Sequence, residues 1–500
     1  MTYDLTRRGF MAATAALAAS TALAPRAYGQ SAPLSLSAAS RVLEIDGKAA
    51  TVYGLTNAAG KQGLILDPGQ RFRVDLTNDL DVETIIHWHG QMPPNAQDGV
   101  PNLPMPPFKP AERRSYDFAA NPGTHWMHSH IPVQEMKLLA APLIVRSAED
   151  VAADRQEVVM FLHDFSFRSA EEVLAGITGG TAGHDMAAMD TTGAASTGTT
   201  GMAGMGKSGT GMAGMDMSGT DMSGMAMGGM AMDLNDFNFD AYLANDRTLS
   251  DPEVIAVEKA GRVRLRIVNG AAATVFWIDT GVPARLVAVD GHPIVPLAGT
   301  RFGMAMAQRL DIEIDLPGAG AFPVLALREG ALERTGLILA TKGAQVSKIA
   351  GLSDAKALAF DTDMAQESSL QASKPLAARA VDRTHMIMLA GSMRPYLWTI
   401  DGQTWKTHKP INAVSGERVE LMFHNMSMMG HPMHLHGHAF QVVNVNGRAL
   451  NGAMRDTVYV PPMAQVTVAL NAGEAARWML HCHHMPHLST GMMTEFAVSA

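Results

Sequence analysis

RVRLRIVNG, residues 262–270, sets Val263, Leu265 and Ile267 between arginines and ends on Asn-Gly, so an extended strand here has one apolar and one charged face. The same period of two recurs in RFRVDLTND (71–79), LDIEIDLPG (310–318), RVELMFHN (418–425) and AQVTVALNAG (464–473). No long helical pattern competes with it. A chain of 500 residues exceeds what one hydrophobic core organises, so two to four domains are expected. Many short half-buried strands in such domains indicate an all-β protein built of β-sandwiches. APLIVRSAED (141–150) reads as a last strand running into a linker, and 346–375, with weak strand patterning, as a connector. The units are therefore expected at 35–148, 152–345 and 376–500.

Composition narrows the function. Hydrophobic residues make up 47% and charged residues 17% of the chain, with a formal net charge of -9. With no basic domain or tail, a nucleic-acid partner is not expected. No stretch after the leader is long and apolar enough to span a bilayer, so an integral membrane protein is not expected. Residues 1–30 read as a signal peptide: Arg7-Arg8, Phe10, an Ala-rich apolar run, and small residues around Ala27-Tyr28-Gly29. Thr6-Arg7-Arg8-Gly9-Phe10 resembles the twin-arginine signal, which implies passage of a folded protein through the twin-arginine export machinery to the periplasm. An ordinary secretory signal gives the same address.

The chain has one cysteine, Cys482, and so no intramolecular disulfide. In an exported protein that thiol is buried, reactive or bound to metal. Between Gly183 and Met232 lies an insertion of Gly, Thr, Ser, Ala and Met with nothing to build a core from, expected to be flexible. It carries twelve of the chain's 36 methionines, among them Met212, Met215, Met217, Met222, Met225 and Met227. Thioethers are soft ligands that select Cu(I), so these spaced pairs suit cuprous capture; a tether without ligand role is the plainer alternative.

Four His-Xaa-His pairs stand out: His87/His89, His128/His130, His434/His436 and His481/His483. Residues two apart on a strand share a face, so each pair can offer two imidazoles to one metal cluster. The eight imidazoles suffice for three coppers with positions left open for oxygen. The same parity sends Cys482 to the opposite face. Cys482, His431, His487 and Met492 then make the two-histidine, one-thiolate set with a weak axial thioether typical of a blue-copper electron-transfer site. Because Cys482 is bonded directly to His481 and His483, a short covalent path joins the two sites.

With these motifs the chain resembles the multicopper oxidases, the family of laccases, ascorbate oxidases and bacterial copper-resistance oxidases, over essentially its mature length. The resemblance implies three cupredoxin-like Greek-key β-sandwich domains, four copper ions, and oxidation of a reductant coupled to four-electron reduction of O2 to water. Residue by residue, it implies type 1 copper at His431, Cys482, His487 and Met492. It implies type 2 copper at His87 and His434, and the type 3 pair at His89, His128, His130, His436, His481 and His483. Asp98 matches an acidic residue that relatives place near the cluster, where a carboxylate can deliver protons; an Asp-Gly turn is its plainer reading. Some bacterial relatives carry glutamate directly after the last type 1 histidine, where this chain has Leu488. His125, His438 and His484 match no ligand position and are expected to support the ligands or face solvent.

The reductant is less determined. Met426, Met428 and Met429 precede His431 and, with the insertion, favour Cu(I) and a role in copper tolerance; core packing is their alternative. A small phenolic or aromatic reductant is the competing substrate, and a non-enzymatic copper-binding or structural protein the competing class.

Overall fold

The computed structural model describes residues 32–179 and 234–500. The leader and the insertion 183–232, including Met212, Met215, Met217, Met222, Met225 and Met227, lie outside the described residues. Among those described the protein is predominantly β, with curled cupredoxin-like sheets forming several distinct units and little helix. The alternating segments quoted above form the strands Phe72–Asn78, Arg262–Asn269, Arg309–Asp315, Arg418–Asn425 and Gln465–Asn471.

Strands from Leu34 to Val145 form two four-stranded sheets, closed over a core that includes Phe72, Val74, Leu76, Trp88 and Met127. Nine strands between Gln156 and Thr341 form one sheet around Ile267, Phe276, Leu286 and Ile312. From Arg383 to Ser499 a seven-stranded and a five-stranded sheet enclose Trp398, Phe423, Leu480 and Cys482. The segment expected as a connector is not loose. Phe360 packs on Tyr459 and Trp277, Leu370 enters the middle core, and Glu367 receives Arg455.

Helices are few and short. Pro132–Glu135, Ala170–Thr178 and Met485–Ser489, one from each run of strands, pack against one another. None of the described helices is long and apolar enough to cross a membrane.

Candidate metal centre

Register brings the histidines together before any side chain is considered. Strand Ile86–His89 pairs with Gly123–Ser129 so that His87 lies opposite His128. Strand His431–Leu435 pairs with Arg477–Cys482 so that His434 faces His481 and Met433 faces Cys482. In three of the four pairs the second histidine lies just past the strand end: His130, His436 and His483. All eight imidazoles are buried.

Their hydrogen bonds fix which nitrogen points inward. His87 donates through Nδ1 to the Asp98 carbonyl at 2.8 Å, and His434 to that of Asp456 at 2.8 Å. Their Nε2 atoms then face each other at 3.4 Å. His481 donates through Nδ1 to the Cys482 carbonyl at 3.0 Å, while Asp98 Oδ2 lies 2.9 Å from His436 Nδ1. The Nε2 atoms of His436 and His481 are left 3.1 Å apart. Between His87 and His434 two lone pairs confront each other, which is repulsive unless a cation sits between them, and the same holds for His436 and His481 when Asp98 is ionised. His89 is turned the other way: Nε2 lies 3.1 Å from both Asp456 Oδ1 and Thr457 Oγ1, and Nδ1 has no partner. His128 Nε2, both nitrogens of His130 and both of His483 are likewise buried without hydrogen bonds. Such orphaned groups cost about 1–3 kcal/mol each unless something binds them. The donor set therefore fits metal ions: His130, His436 and His481 form one group able to hold an ion, and His87, His434 and His436 another. His89, His128 and His483 gather with ring centroids 5.0 to 5.6 Å apart.

A separate set lies on the other face of strand Arg477–Cys482. His431 Nδ1 and His487 Nδ1 are 3.1 Å apart, and Cys482 Sγ lies 3.7 and 3.6 Å from them. Ser427 Oγ is 2.8 Å from His431 Nε2 and holds that ring. Met492 is fully buried in the same core as Cys482. Trp398 lies over His487 at 4.1 Å between ring centroids.

Burial governs the electrostatics. It pushes His87, His89, His130, His436, His481, His483 and His487 well below the usual histidine range, helped by repulsion from neighbouring imidazoles. His431 falls to about 3 and His434 to about 4 for the same first cause. At neutral pH these rings are unprotonated, the state a metal requires. Burial raises the Cys482 thiol and the Asp98 carboxyl above their usual ranges.

The strand and motif patterns agree with comparisons to known proteins. Residues 39–150 and 380–500 each match a model described as multicopper oxidase. The chain belongs to the multicopper oxidase family. Multicopper oxidase MmcO of Mycobacterium tuberculosis is 27% identical over 432 residues, covering 85% of this chain and 79% of its own. Copper resistance protein A of Escherichia coli is 23% identical, covering 86% of each chain. Among solved structures, the 2F4 variant of McoA from Aquifex aeolicus superposes with a TM-score of 0.66 at 20% identity, over 95% of this chain and 97% of that one. The multicopper oxidase is thus an enzyme that takes electrons from a reductant and delivers them by way of copper centres to O2.

Several residues of this oxidase carry no sequence signal strong enough to have singled them out. Asp456, beside His89, is salt-bridged to Arg309. Glu135 lies 2.7 Å from His128 Nδ1. Asp236 Oδ2 lies 3.5 Å from His484 Nε2 and 3.8 Å from His487 Nε2, and accepts from the Tyr396 hydroxyl. All three carboxylates are set beside histidines hundreds of residues away or around a turn, which a linear motif does not encode. His125, His438 and His484 are buried, so the solvent-facing alternative for them is wrong. His438 is satisfied by the His436 carbonyl and the Gly473 amide, and His484 stacks on His487 at 3.9 Å. Met428 and Met429 line one cavity, whereas Met426, 54% exposed, stands apart from it.

Proposed function

We propose that this enzyme holds four copper ions and oxidises Cu(I) in the periplasm as part of copper tolerance. In this reading His431, Cys482, His487 and Met492 hold the type 1 ion, and His87 and His434 the type 2 ion. The type 3 ions are held by His89, His128 and His483 and by His130, His436 and His481. Bound copper would supply one-electron acceptance beside Cys482 and four-electron reduction of O2 among the eight histidines. Cys482 joins the two sites through single residue-to-residue bonds to His481 and His483. Asp98, buried against His436, stands where a proton can be handed to the oxygen side.

The choice of reductant is carried by one cavity. Met306, Met428, Met429, Glu329 and His484 line a space of about 20 Å³ next to His431, large enough for one ion or water. Three thioethers with one imidazole and one carboxylate favour a soft monovalent cation. His484, stacked on His487, connects the cavity to the Cys482 site. His431 and His487 are themselves fully buried, so a phenol would have to stop short of either imidazole. The phenolic reading keeps one observation, the Asp236 carboxylate near His487, but that side chain is as buried as the ring and already accepts from the Tyr396 hydroxyl. The Arg7-Arg8 leader supports the twin-arginine route.

Oxygen uptake with Cu(I) and with a phenol separates the readings. Replacing Met306 and Met429 together by leucine preserves volume, and should raise KM for Cu(I) at least about tenfold while phenol kinetics hold, as expected when about 1.4 kcal/mol of binding is lost. Equal cuprous kinetics in the variant would remove the cavity from the mechanism. The same assay on a chain lacking 183–232 tests the collecting role of the insertion methionines.

A further inference from the structure

The helix Pro132–Glu135 turns the chain back beneath the strand that carries His128. Gln134 pins it: Thr84 and Ser129 donate to its side-chain oxygen at 2.7 and 2.8 Å, and its amide donates to the Glu83 carbonyl at 2.7 Å. The next residue, Glu135, is thereby driven inward and is only 2% exposed. Its Oε2 lies 2.7 Å from His128 Nδ1. Its Oε1 lies 3.8 Å from His483 Nδ1, and neither of these two buried atoms has a hydrogen-bond partner. His128 belongs to the N-terminal sheets and His483 follows the C-terminal strand Arg477–Cys482, so a single carboxylate stands between rings from opposite ends of the chain.

We propose that Glu135 is a positioning residue of the histidine cluster, whose carboxylate holds the Nδ1 sides of His128 and His483 so that both rings present Nε2 to the same ion. This rests on reading those histidines as copper ligands. A ligating imidazole needs its other nitrogen held by an acceptor, which fixes both tautomer and ring angle. His87, His434 and His481 obtain that acceptor from backbone carbonyls and His436 from Asp98, while His128 has the Ser129 carbonyl at 3.0 Å besides the nearer Glu135. His483 has no such partner, and the Glu135 oxygen facing it has none either. The adjoining helix Met485–Ser489, Met-Pro-His-Leu-Ser, contains no acidic residue, and its Leu488 is packed with Val100, Leu103, Met485 and Met493. The acid reaches the cluster from the neighbouring helix instead.

The test uses full-length protein loaded with copper, carrying Glu135→Ala or Glu135→Gln. Copper per chain, the fraction silent in electron paramagnetic resonance, and release to a chelator are measured beside the blue absorption of the Cys482 site. In Glu135→Ala we expect the blue band to remain, the silent fraction to fall, and copper to leave the histidine cluster at about 10–100-fold lower chelator concentration. Glu135→Gln, whose amide oxygen still accepts from His128 while its other face cannot accept from His483, should lie between. Wild-type chelator release and silent fraction in Glu135→Ala would overturn the proposal. If that variant also loses the blue band and so fails to fold, Glu135→Gln decides, and wild-type behaviour there overturns it. Wild-type protein with neither a blue band nor a silent pair would overturn the copper reading itself, independently of Glu135.

Discussion

In the proposed reading, Cys482 is the residue on which electron entry depends. Its side chain lies in the C-terminal core while its neighbours His481 and His483 face the other way, toward histidines of the N-terminal sheets. Cys482→Ser should abolish the blue band and turnover yet leave copper on the histidine side, which paramagnetic resonance and metal analysis would detect; loss of all copper would contradict this division. Asp98→Asn keeps the contact to His436 but removes the proton. We expect kcat to fall by about 10²–10⁴ with copper content unchanged, as for loss of a general acid. The clustered histidines and Cys482 were the most legible residues, because strand parity alone separates Cys482 from its flanking histidines. Asp456, Glu135 and Asp236 were not legible: each acts on a ring brought to it by folding, and nothing in RDT (455–457) or in VQE (133–135) marks a carboxylate as buried.

At the scale of elements, strand ends and the glycines beside them set the site. Gly99 has φ +84°, and a Cβ there would lie 1.9 Å from the Ile86 carbonyl oxygen, on the strand that carries His87. Gly99→Ala should therefore displace that strand and the Asp98 carbonyl that orients His87. The expected result is lost copper at the His87 and His434 pair with the blue band retained. Gly60→Ala, also at positive φ (+71°) but with nothing near the added carbon, is the control. It should cost only about 1–2 kcal/mol in thermal or denaturant unfolding, the price of a left-handed alanine. Strand existence was readable from alternation, as RVRLRIVNG shows. The role of 346–375 was not, since weak patterning concealed Glu367 and Phe360, whose packing depends on partners in other units.

For the whole molecule, buried charge behind the histidines ties the units together. Arg309 from the middle sheet bonds Asp456, Arg455 bonds Asp290 and Glu367, and all five side chains are buried. Arg309→Met would leave Asp456 charged and unpaired next to His89, and we expect a loss of about 3–5 kcal/mol in denaturant unfolding. Acid should weaken the copper-free protein. His125, His431 and His484 are lowered to about 3, and His163, His434 and His438 to about 4, all chiefly by burial. Their folded values lie below the unfolded one of about 6.5, so the unfolded chain binds more protons as pH falls from about 6.5 toward 4, and stability drops. Glu329, raised to about 7, and Asp361, raised to about 6, act in the opposite sense, as do Asp98, Glu135, Asp164, Asp290 and His408, all raised, but the histidines lowered by burial outnumber them. Thermal melts of metal-free protein between pH 7 and 5 should show a falling midpoint; a rising one would mean that the raised carboxyls dominate.

The close approach of His87 to His434 joins positions 347 residues apart. An ion held between them closes that span as a removable crosslink would, and each doubling of such a loop adds only about 0.6 kcal/mol to the cost of closure. A chain cut once within the middle unit would then leave two fragments that share a sheet and buried ion pairs and that the metal binds together more tightly, so that dilution separates them more readily once stripped. Copper would serve such a protein as a fastener as well as a reagent.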